Sequence, residues 1–367
     1  MKRALIVIGS LKMGGRERVA VNCVKYYANQ DILFDFLVFG SNKGELECEV
    51  EEMGCSIHRI RHSKNPFAFY KTLCNFLLCN GPYDIIHSHI FFNSGIVVLA
   101  AKKCGIKCRI SHSHSIERRT DSQLKKYTYQ ALMRFLINCY STKICACSFA
   151  AGEYLFGTKR FKNRGIIIPN IIDTQQYTYS REERTRIREE FRISDSDIVL
   201  GTIGHLTPIK NTKFFLEIAA LSNKEKNTKF LVVGDGPLYG NLKELANSMN
   251  VADNVIFTGI RKDIRAILSA MDLYICTSLS EGFGVVLLES LANGLPYVAE
   301  RHALVKEVLN LGHVELVDGF SDTKDWIKAV RKLLKEGRSY NAFPSLENSI
   351  YTPNYLKDVI KELYTYV

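Results

Sequence analysis

Ala4-Leu5-Ile6-Val7-Ile8 is a short apolar run, followed by the glycine-bearing loop Gly9–Gly15 and then by Arg16–Ala28. Val19, Ala20, Cys23, Val24 and Tyr27 fall on one face of a helix over that last stretch. The same grammar opens the second half: strand Ile198–Ile203, loop Gly204–Asn211, helix Thr212–Leu221. Two strand–loop–helix openings in one chain predict two α/β domains. Met1-Lys2-Arg3 ahead of the first run resembles the start of a signal peptide. Gly9-Ser10 ends the run and no small-residue cleavage site follows, so it reads as a first strand.

Between and after these openings, strand-like runs alternate with helical patterns. They include Phe34–Phe39, Ile85–His87, Arg109–Ser111, Lys143–Cys147, Gly165–Ile168, Lys229–Val233, Val255–Phe257, Leu273–Cys276 and Tyr297–Ala299. Short strands in alternation with helices predict doubly wound parallel sheets. Pro169–Asp173 with the polar residues behind it reads as the linker, which gives domains at 1–170 and 171–350. The helix predicted at the C-terminus, within 351–367, is free to pack back on the first domain. Ligands of open parallel sheets bind beyond the carboxyl ends of the strands, so functional residues are expected in the loops that follow strands.

A chain of 367 residues has room for two cores, and no stretch approaches the roughly 18–20 apolar residues that cross a bilayer. The eleven cysteines form no CxxC pair and no zinc-ligand ladder, as suits reduced thiols in a cytoplasmic protein. The net charge of +11 is uneven: residues 1–173 carry 25 Lys/Arg against 13 Asp/Glu, residues 174–367 carry 24 against 25. The first half therefore faces an anionic partner: an acidic membrane, a lipid diphosphate or nucleic acid. No recognition helix or RNA-binding motif supports nucleic acid.

The strongest chemical signal is Glu281-Gly282-Phe283-Gly284-Val285-Val286-Leu287-Leu288-Glu289, a loop running into a helix behind the strand Leu273–Cys276. The glycines let a ligand approach the backbone at a helix entrance, where free N–H groups and the dipole favour a diphosphate. Glu289 is placed to accept from ribose hydroxyls and Glu281 from those of a sugar. Taken on spacing alone, the pair is equally a capped helix with exposed acids. Gly14-Gly15, between strand and helix, offers N–H groups to a phosphate in the same way, and Arg16 and Arg18 add charge there.

Five of the nine histidines lie in His87-Ser88-His89, His112-Ser113-His114 and His205. Alternate residues of an extended segment point the same way, which leaves a four-histidine metal site open beside a set of hydrogen-bonded structural histidines. No acidic second shell accompanies them. Arg118-Arg119, Lys125-Lys126, Tyr127, Tyr129 and Phe135 read either as a solvated face or as a basic, aromatic surface for membrane headgroups.

The stretch from Asp272 through Gly284, continued by Glu289-Ser290-Leu291-Ala292-Asn293-Gly294-Leu295-Pro296, closely resembles the donor-site signature of family 4 glycosyltransferases. These are retaining enzymes of the GT-B fold, with two Rossmann-like domains whose parallel sheets face each other across a cleft. Gly204-His205-Leu206-Thr207-Pro208-Ile209-Lys210-Asn211 is similar to the family's phosphate-holding loop. Lys210 matches its lysine, and His205 stands where an arginine is usual. Val255–Ile264 resembles the segment that cradles the base, which implies backbone contact at Ile260 or Arg261.

The resemblance implies transfer of a hexose-type sugar from a nucleoside diphosphate, UDP by the family's habit, to a hydroxyl of a glycan or lipid-linked acceptor. Polysaccharide biosynthesis is the implied setting; the location expected is cytoplasmic, with the basic first half leaving peripheral contact with the inner face of the plasma membrane open. It gives donor contacts to Gly15, His205, Lys210, Ile260, Arg261, Gly282, Phe283, Gly284 and Glu289. His114, Lys210 and Glu281 take catalytic roles, and His89 and His112 acceptor contacts. No cofactor and no metal are expected. The rival enzyme reading is a sugar-nucleotide epimerase of the same fold.

Overall fold

The computed structural model describes every residue except 13, 28–30, 62, 64, 115–123, 223–226, 280, 282–283, 302–312, 340–345, 348 and 366–367, and no side chain at 124–126 or 365. The chain divides into two compact units, Met1–Ile171 with Pro353–Val367, and Ile172–Thr352.

The first unit holds seven strands: β1 (Lys2–Val7), β2 (Ile32–Phe39), β3 (Ser56–Ile60), β4 (Ile85–Ser88), β5 (Cys108–Ser113), β6 (Lys143–Ala146) and β7 (Gly165–Ile167). They form one sheet in the order β3-β2-β1-β4-β5-β6-β7, with every described pairing parallel. β1, β4 and the inner part of β5 are buried on both faces, which is why they read as unbroken apolar runs rather than alternations. Helices cover the two faces and give two cores. One contains Val19, Cys23, Phe34 and Phe36; the other contains Leu5, Val7, Phe69, Ile96 and Met133.

The C-terminal helix Pro353–Thr365 belongs to the first of these cores through Leu356, Ile360, Leu363 and Tyr364. The Tyr364 ring meets Tyr27 and Phe34 edge-on at 5.6 and 5.5 Å, and Lys143 Nζ donates to the Leu363 carbonyl at 2.6 Å.

The second unit holds six strands: β8 (Ile198–Ile203), β9 (Thr228–Val233), β10 (Val255–Gly259), β11 (Leu273–Cys276), β12 (Tyr297–Glu300) and β13 (Val314–Val317). Their order is β10-β9-β8-β11-β12-β13, again parallel throughout. In each unit the winding reverses once, between β1 and β4 and between β8 and β11. Such a reversal separates the two neighbouring loops and opens a crevice at the carboxyl ends of the strands.

Arg188, on the helix Arg181–Glu190, is 1 % exposed and ties the second unit together. It donates to the carbonyls of Ala270, Ser194 and Asp197 and, at 2.8 Å, to Asp272 Oδ2. The other Asp272 oxygen accepts from Arg184 at 2.8 Å. Asp195-Ser196-Asp197, which has the spacing of a metal-binding carboxylate pair, is a turn in which the Asp197 carboxylate accepts from the Ser194 amide. Among the described residues no helix is long and apolar enough to cross a membrane.

Candidate functional site

The crevice of the second unit lies between the ends of β8 and β11. Behind β8 the chain runs through Gly204 and His205 into a single 3-10 turn, Pro208–Lys210, and Asn211 follows in the left-handed region. Gly204 gives the lysine its path: a Cβ there would stand 3.3 Å from Lys210 Cε. Behind β11 the loop bends back on this turn, with the Leu279 amide on the Ile209 carbonyl (2.8 Å) and Thr277 Oγ1 on the Lys210 carbonyl (3.1 Å). These bonds lock the two loops in register and bring Lys210 Nζ to 2.6 Å from Glu281 Oε1. The same oxygen accepts from Ser278 Oγ, and the Cys276 thiol lies 3.8 Å away. Two residues 71 positions apart thus form one partly buried ion pair at the switch point.

β9 and β10 end beside this pair. Gly234, at φ +130°, passes so close to Gly204 that a Cβ would stand 2.0 Å from the Gly204 carbonyl oxygen, and its amide donates to the Gly259 carbonyl at 2.8 Å. Only glycine fits this approach. His205 Nδ1 donates to the Asp235 carbonyl at 2.7 Å, which holds the imidazole on the rim. Ile260, just past β10, is 77 % exposed. The Arg261 guanidinium is committed to Glu190 at 2.5 Å and Asp263 at 2.8 Å and lies 5.6 Å from the Phe191 ring centroid.

Gly284, in the left-handed region at φ +73°, caps the helix Val285–Ala292. Gly282 and Phe283 lie outside the described residues. Glu289, inside that helix, is 9 % exposed, and burial pushes its carboxyl up to about 7 against an opposing hydrogen bond from Tyr177. Sequence reading missed the props of the pair: Ser278 and Cys276 on Glu281, and Thr277 on the Lys210 carbonyl. Their only signal was adjacency to the motif.

In the first unit Gly15 opens the helix Gly15–Lys25 without a side-chain cap at Gly14. Arg16 is paired with Glu17 at 2.6 Å, and Arg18 with Glu49 at 2.6 Å. The carboxyl ends of β4 and β5 bring four imidazoles together. His87 Nε2 lies 3.2 Å from His112 Nδ1, and His89 Nδ1 lies 2.8 Å from His114 Nε2. His87 Nδ1 meets the Tyr364 hydroxyl at 2.8 Å. Burial drives all four well down from the ordinary imidazole range, His112 to about 3, so they are neutral at pH 7.

The acceptor contacts expected of His89 and His112 fall on buried rings. Both are fully buried with their ring nitrogens turned into the cluster, and His114 alone of the four keeps partial exposure. His87 entered the sequence reading only as a member of the four-histidine set and carried no donor, acceptor or catalytic role. Of the basic aromatic stretch, Arg118 and Arg119 lie outside the described residues. Tyr129 is spent on Asn93 at 2.6 Å, while Tyr127, Leu132 and Phe135 on the helix Leu124–Tyr140 are exposed.

Residues 13–176 match the family described as Glycosyltransferase Family 4, and residues 183–345 match Glycosyl transferases group 1. A putative glycosyltransferase, EpsF of Bacillus subtilis, is 28% identical over 347 residues, 93% of this chain and 90% of that one. An Escherichia coli enzyme named UDP-Gal:alpha-D-GlcNAc-diphosphoundecaprenol alpha-1,3-galactosyltransferase is 26% identical over 276 residues, 72% of this chain and 69% of its own. The crystal structure of Anabaena HepE in complex with UDP superposes with a TM-score of 0.81 at 19% identity, over 100% of both chains, a likeness of fold. Matched nearly end to end by two glycosyltransferase domains in this order, and folded as GT-B enzymes are, the chain belongs to the glycosyltransferases of family 4 type.

Proposed function

We propose that the protein transfers a hexose-type sugar from a UDP-sugar to a hydroxyl of a glycan or lipid-linked acceptor, with retention of the anomeric configuration, in polysaccharide biosynthesis. The observation that carries this reading is the Lys210–Glu281 pair at the switch point of the second unit. An ammonium beside a strand-end crevice is what a departing diphosphate needs. Lys210 is held by Glu281 until a diphosphate competes for it, which frees the carboxylate to orient sugar hydroxyls. Hydroxyl recognition by a carboxylate is incompatible with that group lying beneath the anomeric carbon, so Glu281 positions the sugar rather than bonding to it. The diphosphate oxygen then takes the proton of the incoming hydroxyl on the face it leaves.

Glu289 takes the ribose, the backbone at Ile260 and Arg261 the base, and His205 the phosphate edge, joined by the N–H groups of Gly282, Phe283 and Gly284. Gly15 and His114 keep the phosphate and donor-sugar roles the family resemblance gives them. No step of this scheme calls on a metal or cofactor. The E. coli relative named for a diphosphoundecaprenol substrate supports a lipid-linked acceptor, and HepE crystallised with UDP supports the uridine base.

The test is turnover of a panel of nucleotide sugars, read as nucleotide diphosphate release with and without lipid-linked acceptors. We expect release to depend on acceptor and to fall about 10²–10³-fold in Lys210→Ala and about 10–100-fold in Glu281→Gln. Full turnover in both variants sinks the assignment. Interconversion of sugar nucleotides without acceptor would mark the epimerase instead.

A further inference from the structure

We propose that His87, His89 and His112 form a binding site for a divalent transition metal of the zinc class in the first unit. Each of the three can offer one ring nitrogen such that all lie within 4.8 Å of one another. The 3.2 Å between His87 Nε2 and His112 Nδ1 compares with about 3.3 Å between two nitrogens on a tetrahedral zinc, whose bonds are about 2.0–2.1 Å.

The outer atoms are arranged as such a site requires. A ligating imidazole usually gives its second nitrogen to an oxygen acceptor or another fixed partner, which sets tautomer and ring direction. His87 Nδ1 faces the Tyr364 hydroxyl at 2.8 Å, and His89 Nδ1 faces His114 Nε2 at 2.8 Å. The Ile168 carbonyl acts on the His112 ring, although His112 Nε2 meets no partner of ordinary hydrogen-bond geometry. His89 Nε2 is the orphan that points to a ligand: it is fully buried and nothing hydrogen-bonds to it. A buried polar atom without a partner costs about 1–3 kcal/mol unless something fills its place.

The chemistry of the donor set selects the ligand class. Three imidazoles without a carboxylate suit zinc, copper or nickel and not magnesium or calcium. The histidines are already neutral at pH 7, the form that ligates. Arg16 bears on His89 electrostatically, but its charge is matched by Glu17 at 2.6 Å. His114, the one ring of the four that reaches solvent, stands beside His89 at 2.8 Å. The inference does not rest on the transferase reading, and nucleotide release is not its readout.

The experiment uses the full chain with the exposed Cys48, Cys79 and Cys139 replaced by serine, so that surface thiols do not bind metal. After stripping with a chelator, the protein is titrated with Zn²⁺ and with Co²⁺, followed by elemental analysis and visible absorption. We expect about one metal per chain, and a tetrahedral cobalt spectrum without a thiolate charge-transfer band. In His87→Gln and His112→Gln affinity should fall about 100-fold or more. No retained metal overturns the proposal and leaves a purely hydrogen-bonded cluster. A thiolate band, or equal binding in both folded variants, also overturns it. Should the variants fail to fold, the cobalt spectrum of the His-intact protein decides alone.

Discussion

At the scale of single residues, burial tunes one acid of the second unit. Glu281 has Lys210 and Ser278 on one oxygen, whereas Glu289 is nearly sealed and its carboxyl is pushed from the usual 4.5 up to about 7. Between those two values the folded protein binds more protons at this group than the unfolded chain does. The contribution to stability is therefore complete below pH 4.5 and is lost as pH rises through 7, by about 3 kcal/mol at most. Glu289→Gln should flatten the fall in unfolding free energy across that window, measured by denaturant titration at several pH values, and should raise apoprotein stability at pH 8. The slope of the wild-type protein, reproduced in the variant, contradicts the assignment. The ribose contact proposed for Glu289 would give such a buried carboxyl hydroxyl donors to accept from.

At the scale of elements, interior strands were legible and two of the edge strands were not. Ile198–Ile203 and Leu273–Cys276 appear as read, and Lys143–Cys147 and Gly165–Ile168 each end one residue earlier. β3 and β13 were not read as strands. Both lie at sheet edges, half exposed, and carry His58, Arg59 and Glu315 where an inner strand carries apolar residues. Their pattern belongs to the edge and not to the core, so hydrophobic runs do not reveal them.

Arg188 was equally hidden, because one arginine in Arg-Glu-Glu-Arg-Thr-Arg-Ile-Arg-Glu-Glu looks like the next until packing chooses it. Removing it takes a donor from Asp272 and from three carbonyls, although Asp272 and the Ala270 carbonyl keep Arg184 and the Ser194 carbonyl keeps the Asp197 amide. Arg188→Ala should lose about 2–3 kcal/mol of stability in chemical denaturation, and a loss below about 1 kcal/mol would mean the buried guanidinium is ornamental.

At the scale of the molecule, the division near the Pro169–Asp173 linker and the place of the last helix illustrate what a one-dimensional pattern holds. The linker is written in local residues. The docking of Pro353–Thr365 on the first unit depends on a sheet face assembled from distant strands, so the sequence offered that docking without assigning its place. The site was legible in part for the same reason: Lys210 and Glu281 each sat in a motif, but their 2.6 Å contact is a product of strand order.

The charge asymmetry also belongs to this scale. The surplus of 12 positive charges in residues 1–173, with Tyr127, Leu132 and Phe135 exposed on one helix, supports peripheral attachment to the anionic inner face of a membrane. Sedimentation with vesicles containing acidic lipid should show binding at low salt that high salt removes. No sedimentation at low salt rules the attachment out.

Calorimetric titration of UDP into the wild-type chain and into Lys210→Ala tests the account at its centre. A nucleotide seated between the ends of β8 and β11 must lose the ammonium in the variant. The account predicts saturable UDP binding by the wild type and affinity lower by about 10-fold or more in the variant. Equal affinity in the two proteins would place the nucleotide elsewhere and contradict it.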